Sequence, residues 1–148
     1  MTEEIRSALG IAAPAVPGGS LATPHTYEKL RSNNSHIRVL TLQPSQDASA
    51  DLRCSIQQQE LGMIAGQYES ISYTWGSQSL VCKLYCDGGC VIHITANLHS
   101  ALRRFRFKYD TRRIWADAVC INQADAEEKS HQIPLMPQIY RCALRVLV

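Results

Sequence analysis

An apolar run in the last third of this chain, Ile114-Trp115-Ala116-Asp117-Ala118-Val119-Cys120-Ile121, empties into the polar corner Asn122-Gln123 and then into an acidic segment carrying Asp125, Glu127 and Glu128. A carboxylate at a helix start beside such a corner can orient a ribose hydroxyl or stabilise developing positive charge, which makes Glu128 the candidate catalytic group. Asp125 and Glu128 also have the spacing of a capping box, in which both side chains satisfy free N–H groups of a first helical turn. The residues leave both roles open. Glu127 reads as a solvated surface acid.

Five more residues are candidate ligand contacts. Asp117 lies in the apolar run, where an ionised carboxylate is costly unless it is hydrogen-bonded or charge-paired; Arg112, Arg113 or backbone N–H groups could serve, and a ligand at the strand end could too. Asn122 and Gln123 can read a ligand or simply form a turn and a cap. Tyr73 and Trp75 end an earlier strand-like segment, where an aromatic pair either stacks on a nucleotide or walls the core.

Other chemistries find less support. Ser72 has no local histidine or acid to activate it and no G-x-S-x-G turn around it, which argues against a serine hydrolase. Cys82, Cys86, Cys90 and His93 fall across a hairpin without the second C-x-x-C pair of a zinc site, so no metal site is assigned. Cys120 is either a thiol tuned by the helix start or an ordinary core residue. Arg103, Arg104, Arg106, Lys108, Arg112 and Arg113 interleave with Phe105, Phe107 and Tyr109, a pattern that a solvated helix end explains more simply than nucleic acid.

The elements that must position these groups can be read from period and punctuation. Ile37 to Leu42 is a β-rich run stopped by Pro44, and Arg53 to Gln58 is a second short strand. Tyr68 to Trp75 alternates Ile71, Tyr73 and Trp75 with Ser70, Ser72 and Thr74, and ends at Gly76. Leu80 to Tyr85 and Val91 to Ile94 flank Asp87-Gly88-Gly89, which supplies the positive φ angles of a tight reversal. Thr95 or Asn97 caps a helix with Leu98, Ala101, Leu102 and Phe105 on one face. Ile114 to Ile121 reads as a strand buried on both faces. Glu127 to Ala143 is helical, with Pro134 and Pro137 predicting a break or kink near Ile133 to Pro137. Leu144 to Val148 is a last apolar strand.

With 148 residues and 45% hydrophobic content the chain suits one globular domain. Residues 1–35, rich in Ala, Pro, Gly and Ser between Ala12 and Pro24, are expected to be a flexible leader with at most a helical turn at Ile5 to Ala13; residues 36–148 form the domain. A net charge of +2 implies no dedicated polyanion partner, so nucleic acid is not expected. The acidic start and the lack of any apolar run near the roughly twenty residues of a membrane span point to a soluble, cytoplasmic protein. Its six cysteines are then expected to be thiols.

Four ordered blocks resemble one family. Tyr68-Glu69-Ser70-Ile71-Ser72-Tyr73-Thr74-Trp75-Gly76, Asn97-Leu98 with Ala101-Leu102, Trp115 to Gln123, and Asp125, Glu128, Lys129, Gln132, Met136, Ile139-Tyr140 and Ala143 are similar in type and spacing to the fungal heterokaryon incompatibility (HET) domain. The resemblance covers about the last hundred residues. It implies a module of self/nonself recognition and regulated cell death that works with protein partners or by self-association, for which Trp75, Tyr140 and the basic helix end would be determinants. HET domains look distantly like Toll/interleukin-1 receptor (TIR) domains. That likeness implies an α/β, TIR/flavodoxin-like central sheet with flanking helices, here with a peripheral hairpin, built around the strands at Tyr68 to Trp75, Ile114 to Ile121 and Leu144 to Val148. It also implies an alternative activity, a NAD glycohydrolase using Glu128, with NAD as substrate rather than resident cofactor; no Gly-rich phosphate loop accompanies it. The family pattern usually continues past Val148 into W-L-G, so the domain reads as truncated at its C-terminus.

Overall fold

The computed structural model describes residues 22–148, so the helical turn expected at Ile5 to Ala13 lies outside the described residues. Eight strands form one mixed sheet among the described residues: β1 (Thr23–Pro24), β2 (His36–Leu42), β3 (Leu52–Glu60), β4 (Glu69–Ile71), β5 (Cys82–Cys86), β6 (Cys90–Ile94), β7 (Arg112–Trp115) and β8 (Val146–Leu147). Their order is β1-β6-β5-β3-β2-β7-β4-β8. Three helices accompany them: α1 (Ala96–Phe105), α2 (Asp117–Cys120) and α3 (Ala126–Cys142).

β2 is the axis of the sheet because both of its edges are paired. It runs antiparallel to β3 from His36↔Glu60 to Leu42↔Cys54 and antiparallel to β7 around Leu40↔Ile114. A strand paired on both sides can keep apolar groups on both faces, and Ile37, Val39, Leu40 and Leu42 are all buried. β3 is longer than expected from Arg53 to Gln58, since β2 offers a partner for every residue up to Glu60.

The sheet departs from the expected plan in three ways. The parallel trio β7-β4-β8, expected at the centre, is one flank, and the antiparallel pairs β2/β3, β2/β7 and β5/β6 make the whole sheet mixed. The hairpin is an integral part of it: β5 pairs in parallel with β3 at Leu52↔Leu84 through Cys54↔Cys86, so the hairpin is joined to the core rather than peripheral. Chain order also begins before His36. Thr23–Pro24 pairs with β6, Leu30 is buried, and the Glu28 and Lys29 carbonyls accept from Arg38 and Gln58, so residues 22–35 are held against the sheet by backbone groups that a leader would leave to water.

Two expected strands are shorter than their apolar runs. The strand predicted over Tyr68 to Trp75 stops at Ile71, and that predicted over Ile114 to Ile121 stops at Trp115, after which Asp117–Cys120 closes a helical turn. A short buried apolar run suits a strand or a helix equally. α3 is instead longer than expected. It runs unbroken from Ala126 to Cys142 through Pro134 and Pro137, both exposed, so the Ser130 and Ile133 carbonyls that lose an N–H partner lie toward water.

The helices cover both faces of β7. Arg112 and Trp115, three apart on a strand, emerge on opposite sides. Arg112 donates to the Phe105 carbonyl at the end of α1 (2.8 Å), while the buried Trp115 ring meets Tyr140 of α3 edge-on. α1 buries Leu98, Ala101 and Leu102, and of its two expected caps Thr95 is the one used, its Oγ1 accepting from Leu98 N (3.2 Å). Tyr68 fixes the far end of α3 by donating to the Ile139 carbonyl.

Candidate functional site

Where β7 ends, Ala116 leads into α2 and the chain turns through Ile121 to Gln123 before α3 begins. Asn122 and Gln123 shape this corner with their amides: Asn122 Oδ1 accepts from Ala124 N (3.2 Å), and Gln123 Nε2 donates to the carbonyls of Asp117 (2.9 Å) and Ile121 (3.2 Å). The turn-forming use is therefore the one observed for both amides.

Glu128 sits below the corner, 3% exposed. Its Oε1 accepts from Arg38 Nη2 (2.6 Å), and its Oε2 accepts from Arg38 Nη1 (2.9 Å) and from the Asn122 backbone N–H. Half of the expected capping box forms: Asp125 Oδ1 accepts from Glu128 N (3.1 Å), but the Glu128 carboxylate turns to Arg38 rather than back to Asp125. Arg38 is equally engaged. It also donates to the Cys120 (3.2 Å) and Glu28 (2.8 Å) carbonyls and lies over the Tyr27 ring at 4.9 Å. This bidentate pair, with Nη1 and Nη2 each also on a carbonyl, meets the conditions under which an internal charge pair is tolerated.

Asp117 occupies the first position of α2 instead of a strand interior. Its Oδ1 accepts from Ala118 N (2.8 Å) and, at longer range, from the Tyr73 hydroxyl (3.4 Å). Burial pushes its carboxyl up, against the pull of the Ala118 N–H, Tyr73 and Trp75. Backbone N–H is thus the answer to its expected need for a partner. Arg112 is committed elsewhere, gripping Glu69 through Nε (2.7 Å) and Nη2 (3.0 Å), and holds that carboxyl below its usual range. Burial together with Asp117 drives the Tyr73 phenol up.

Tyr73 and Trp75 project from the loop after β4, with rings parallel to within 3° and centroids 6.4 Å apart. Asn97, next to the α1 cap, donates from Nδ2 to the Thr74 carbonyl (2.8 Å) and packs against Gly76, whose φ of 62° and lack of a side chain let the loop turn there. A Cβ at Gly76 would stand 2.5 Å from that amide nitrogen.

Trp75, Asn122 and Gln123 come together at the mouth of a cleft of about 340 Å³, walled by Tyr27, Leu80, Ile92, Ile94 and Ala118. Three other hollows are larger, about 430 Å³ between residues 25–31 and β3, about 520 Å³ between Ser72-Tyr73-Thr74 and α1, and about 390 Å³ between Gln43-Pro44-Ser45 and Ala50-Asp51, but all three are about as polar as they are apolar. Specific pockets are mostly apolar with a few placed polar groups, so the corner cleft is the better candidate. Asp117, Tyr73 and Glu128 are not part of its wall, and Tyr73 lines the hollow against α1 instead. Cys120 is a core thiol, fully buried and pushed up to about 12 by desolvation.

Sequence reasoning missed Arg38, Tyr27, Glu69 and Gln132 as organisers of this region. Gln132 Nε2 donates to the Asn33 (3.1 Å) and His36 (3.0 Å) carbonyls, tying α3 to the start of β2. An arginine in the β-rich run at Ile37 to Leu42 was the available signal, since a charge there needs a partner. The basic helix end is also employed internally: Arg103 donates to the Ser49 carbonyl, Arg104 to that of Val148, and Arg106 to the carbonyls of Asp47, Ala48, Ala50 and Asp51. Among the described residues no three His, Cys, Asp or Glu side chains gather to hold a metal ion, and no helix is long and apolar enough to cross a membrane.

The family model described as heterokaryon incompatibility protein (HET) matches residues 68–148. The chain belongs to the heterokaryon incompatibility family. Heterokaryon incompatibility protein 6, OR allele, of Neurospora crassa is 34% identical over 131 residues, a match covering 80% of this chain and 19% of that protein. The chain thus spans about a fifth of the length of the curated relative it matches. No solved structure matches it. The corner, the Trp75 loop, Asn97 and Glu128 all fall inside the HET match, whereas Arg38 and Tyr27, which complete the ion pair and the cleft, precede it.

Proposed function

We propose that this HET domain is a signalling and interaction module of fungal self/nonself recognition, working in the cytoplasm through protein partners or self-association to set off regulated cell death. Membership of the incompatibility family supports that biological setting. The observation that carries the molecular reading is the Glu128 carboxylate, whose two oxygens are taken up by Arg38 and the Asn122 N–H. A group so paired and only 3% exposed stabilises the corner and could meet a substrate only at the cost of disturbing a buried charge pair. The half-exposed Trp75 and the apolar cleft beside it are the surface through which contact with a partner is read.

The rival reading is a TIR-like NAD glycohydrolase with Glu128 as its carboxylate and Tyr73, Trp75, Asp117, Asn122 and Gln123 around the ligand. Purified protein incubated with NAD separates the two, with Glu128→Gln alongside. Association predicts no release of nicotinamide, together with loss of viability on expression in a fungus that Trp75→Ala abolishes. Nicotinamide released by the wild type and not by Glu128→Gln would overturn it.

A further inference from the structure

Two thiols that the corner does not use stand side by side in the sheet. Cys54 of β3 and Cys86 of β5 are direct register partners in a parallel pair, with sulfurs 3.8 Å apart. Paired residues of neighbouring strands project to the same face about 4.8 Å apart, inside the roughly 4.4–6.8 Å Cα span of disulfides. The two differ in access: Cys54 is 1% exposed, and Cys86, next to the Asp87-Gly88-Gly89 turn, is half-buried. A third thiol, Cys90, faces Cys86 across the hairpin.

We propose that Cys54 and Cys86 form a hydroperoxide-responsive dithiol, in which Cys86 is oxidised first and Cys54 closes it to a disulfide joining β3 to β5. The Cys86 thiolate attacks the terminal oxygen of the hydroperoxide; the O–O bond breaks, the sulfur becomes a sulfenic acid, and the alkoxide takes a proton and leaves as an alcohol, or as water from hydrogen peroxide. The Cys54 sulfur then attacks the Cys86 sulfur, the S–O bond breaks, and the departing hydroxide takes the Cys54 proton to give water. Two thiols and one hydroperoxide become one disulfide, one alcohol and one water. The asymmetry of the pair fits these roles: a hydrogen bond from Cys54 lowers the Cys86 thiol from its usual value, against the opposing effects of burial and Asp87, and the same contact followed by burial raises Cys54.

The test is peptide mapping of the full chain after hydrogen peroxide and alkylation of remaining thiols. A Cys54–Cys86 linked peptide is expected, reversed by dithiothreitol, with a higher melting temperature in the oxidised form. Cys54→Ser should leave a sulfenic acid on Cys86 that dimedone captures, and Cys86→Ser should leave Cys54 free. The wild-type map suffices if either variant misfolds. A Cys86–Cys90 link, or Cys54 and Cys86 alkylating as fully after peroxide as before, would overturn the proposal.

Discussion

Asp117 shows what a single residue contributes at the corner. Its carboxyl is raised by burial, so the protonated form is favoured on folding. Stability from this group is full below the ordinary aspartate pKa of about 3.9 and is lost as pH rises through the higher folded value. Asn at this position keeps an acceptor for Ala118 N and Tyr73 without the charge. Thermal melting should therefore find Asp117→Asn more stable than wild type near neutral pH, with the advantage vanishing in strong acid; an equal or lower midpoint near neutrality would mean that the charge is stabilising where it sits. The need of Asp117 for a partner was legible in the sequence because a carboxylate amid apolar residues is conspicuous. That the partner is the N–H of the next residue was not, because it depends on the run breaking into a helical turn at Asp117 rather than continuing as a strand.

At the scale of elements, legibility followed local punctuation. The hairpin around Gly88 and Gly89, with φ of 79° and 75°, and helix α1 behind Thr95 formed where turn chemistry and period demanded them. The loop after β4 did not form as read: Tyr73 and Trp75 keep the alternation of a strand, but Asn97 takes up the Thr74 carbonyl and the chain turns at Gly76. Such a contact between segments over twenty residues apart leaves no periodic trace. It does give Gly76 a purpose. Gly76→Ala combines a positive φ with a Cβ against the Asn97 amide, and should cost about 1–3 kcal/mol in a denaturant titration. Wild-type stability for this variant would show that the loop and α1 are not clasped there. Pro134 and Pro137 are the converse case, since the helix breaker prevailed in the sequence reading while tertiary packing of Gln132, Ile139 and Tyr140 carries α3 through both prolines.

For the whole molecule, Arg38 and Glu128 are the join. Ninety positions apart, they connect the described N-terminal segment through Glu28, the central strand β2, the last carbonyl of α2, the corner at Asn122 and the start of α3. Pairings of that sequence separation cannot be read from motifs, and the family match, which starts at residue 68, contains only one of the two partners. The sequence thus located the corner and its acid, while the acid's occupation came from a strand outside the recognised blocks. The decisive measurement is a double-mutant cycle in urea with Arg38→Met, Glu128→Gln and the pair combined. Arg38→Met should lose about 3–5 kcal/mol by stranding a buried carboxylate, and the double variant should lose less than that single one. Strictly additive losses, or a single-variant cost below about 1 kcal/mol as for an exposed pair, would contradict a structural role for Glu128 at the centre of this fold.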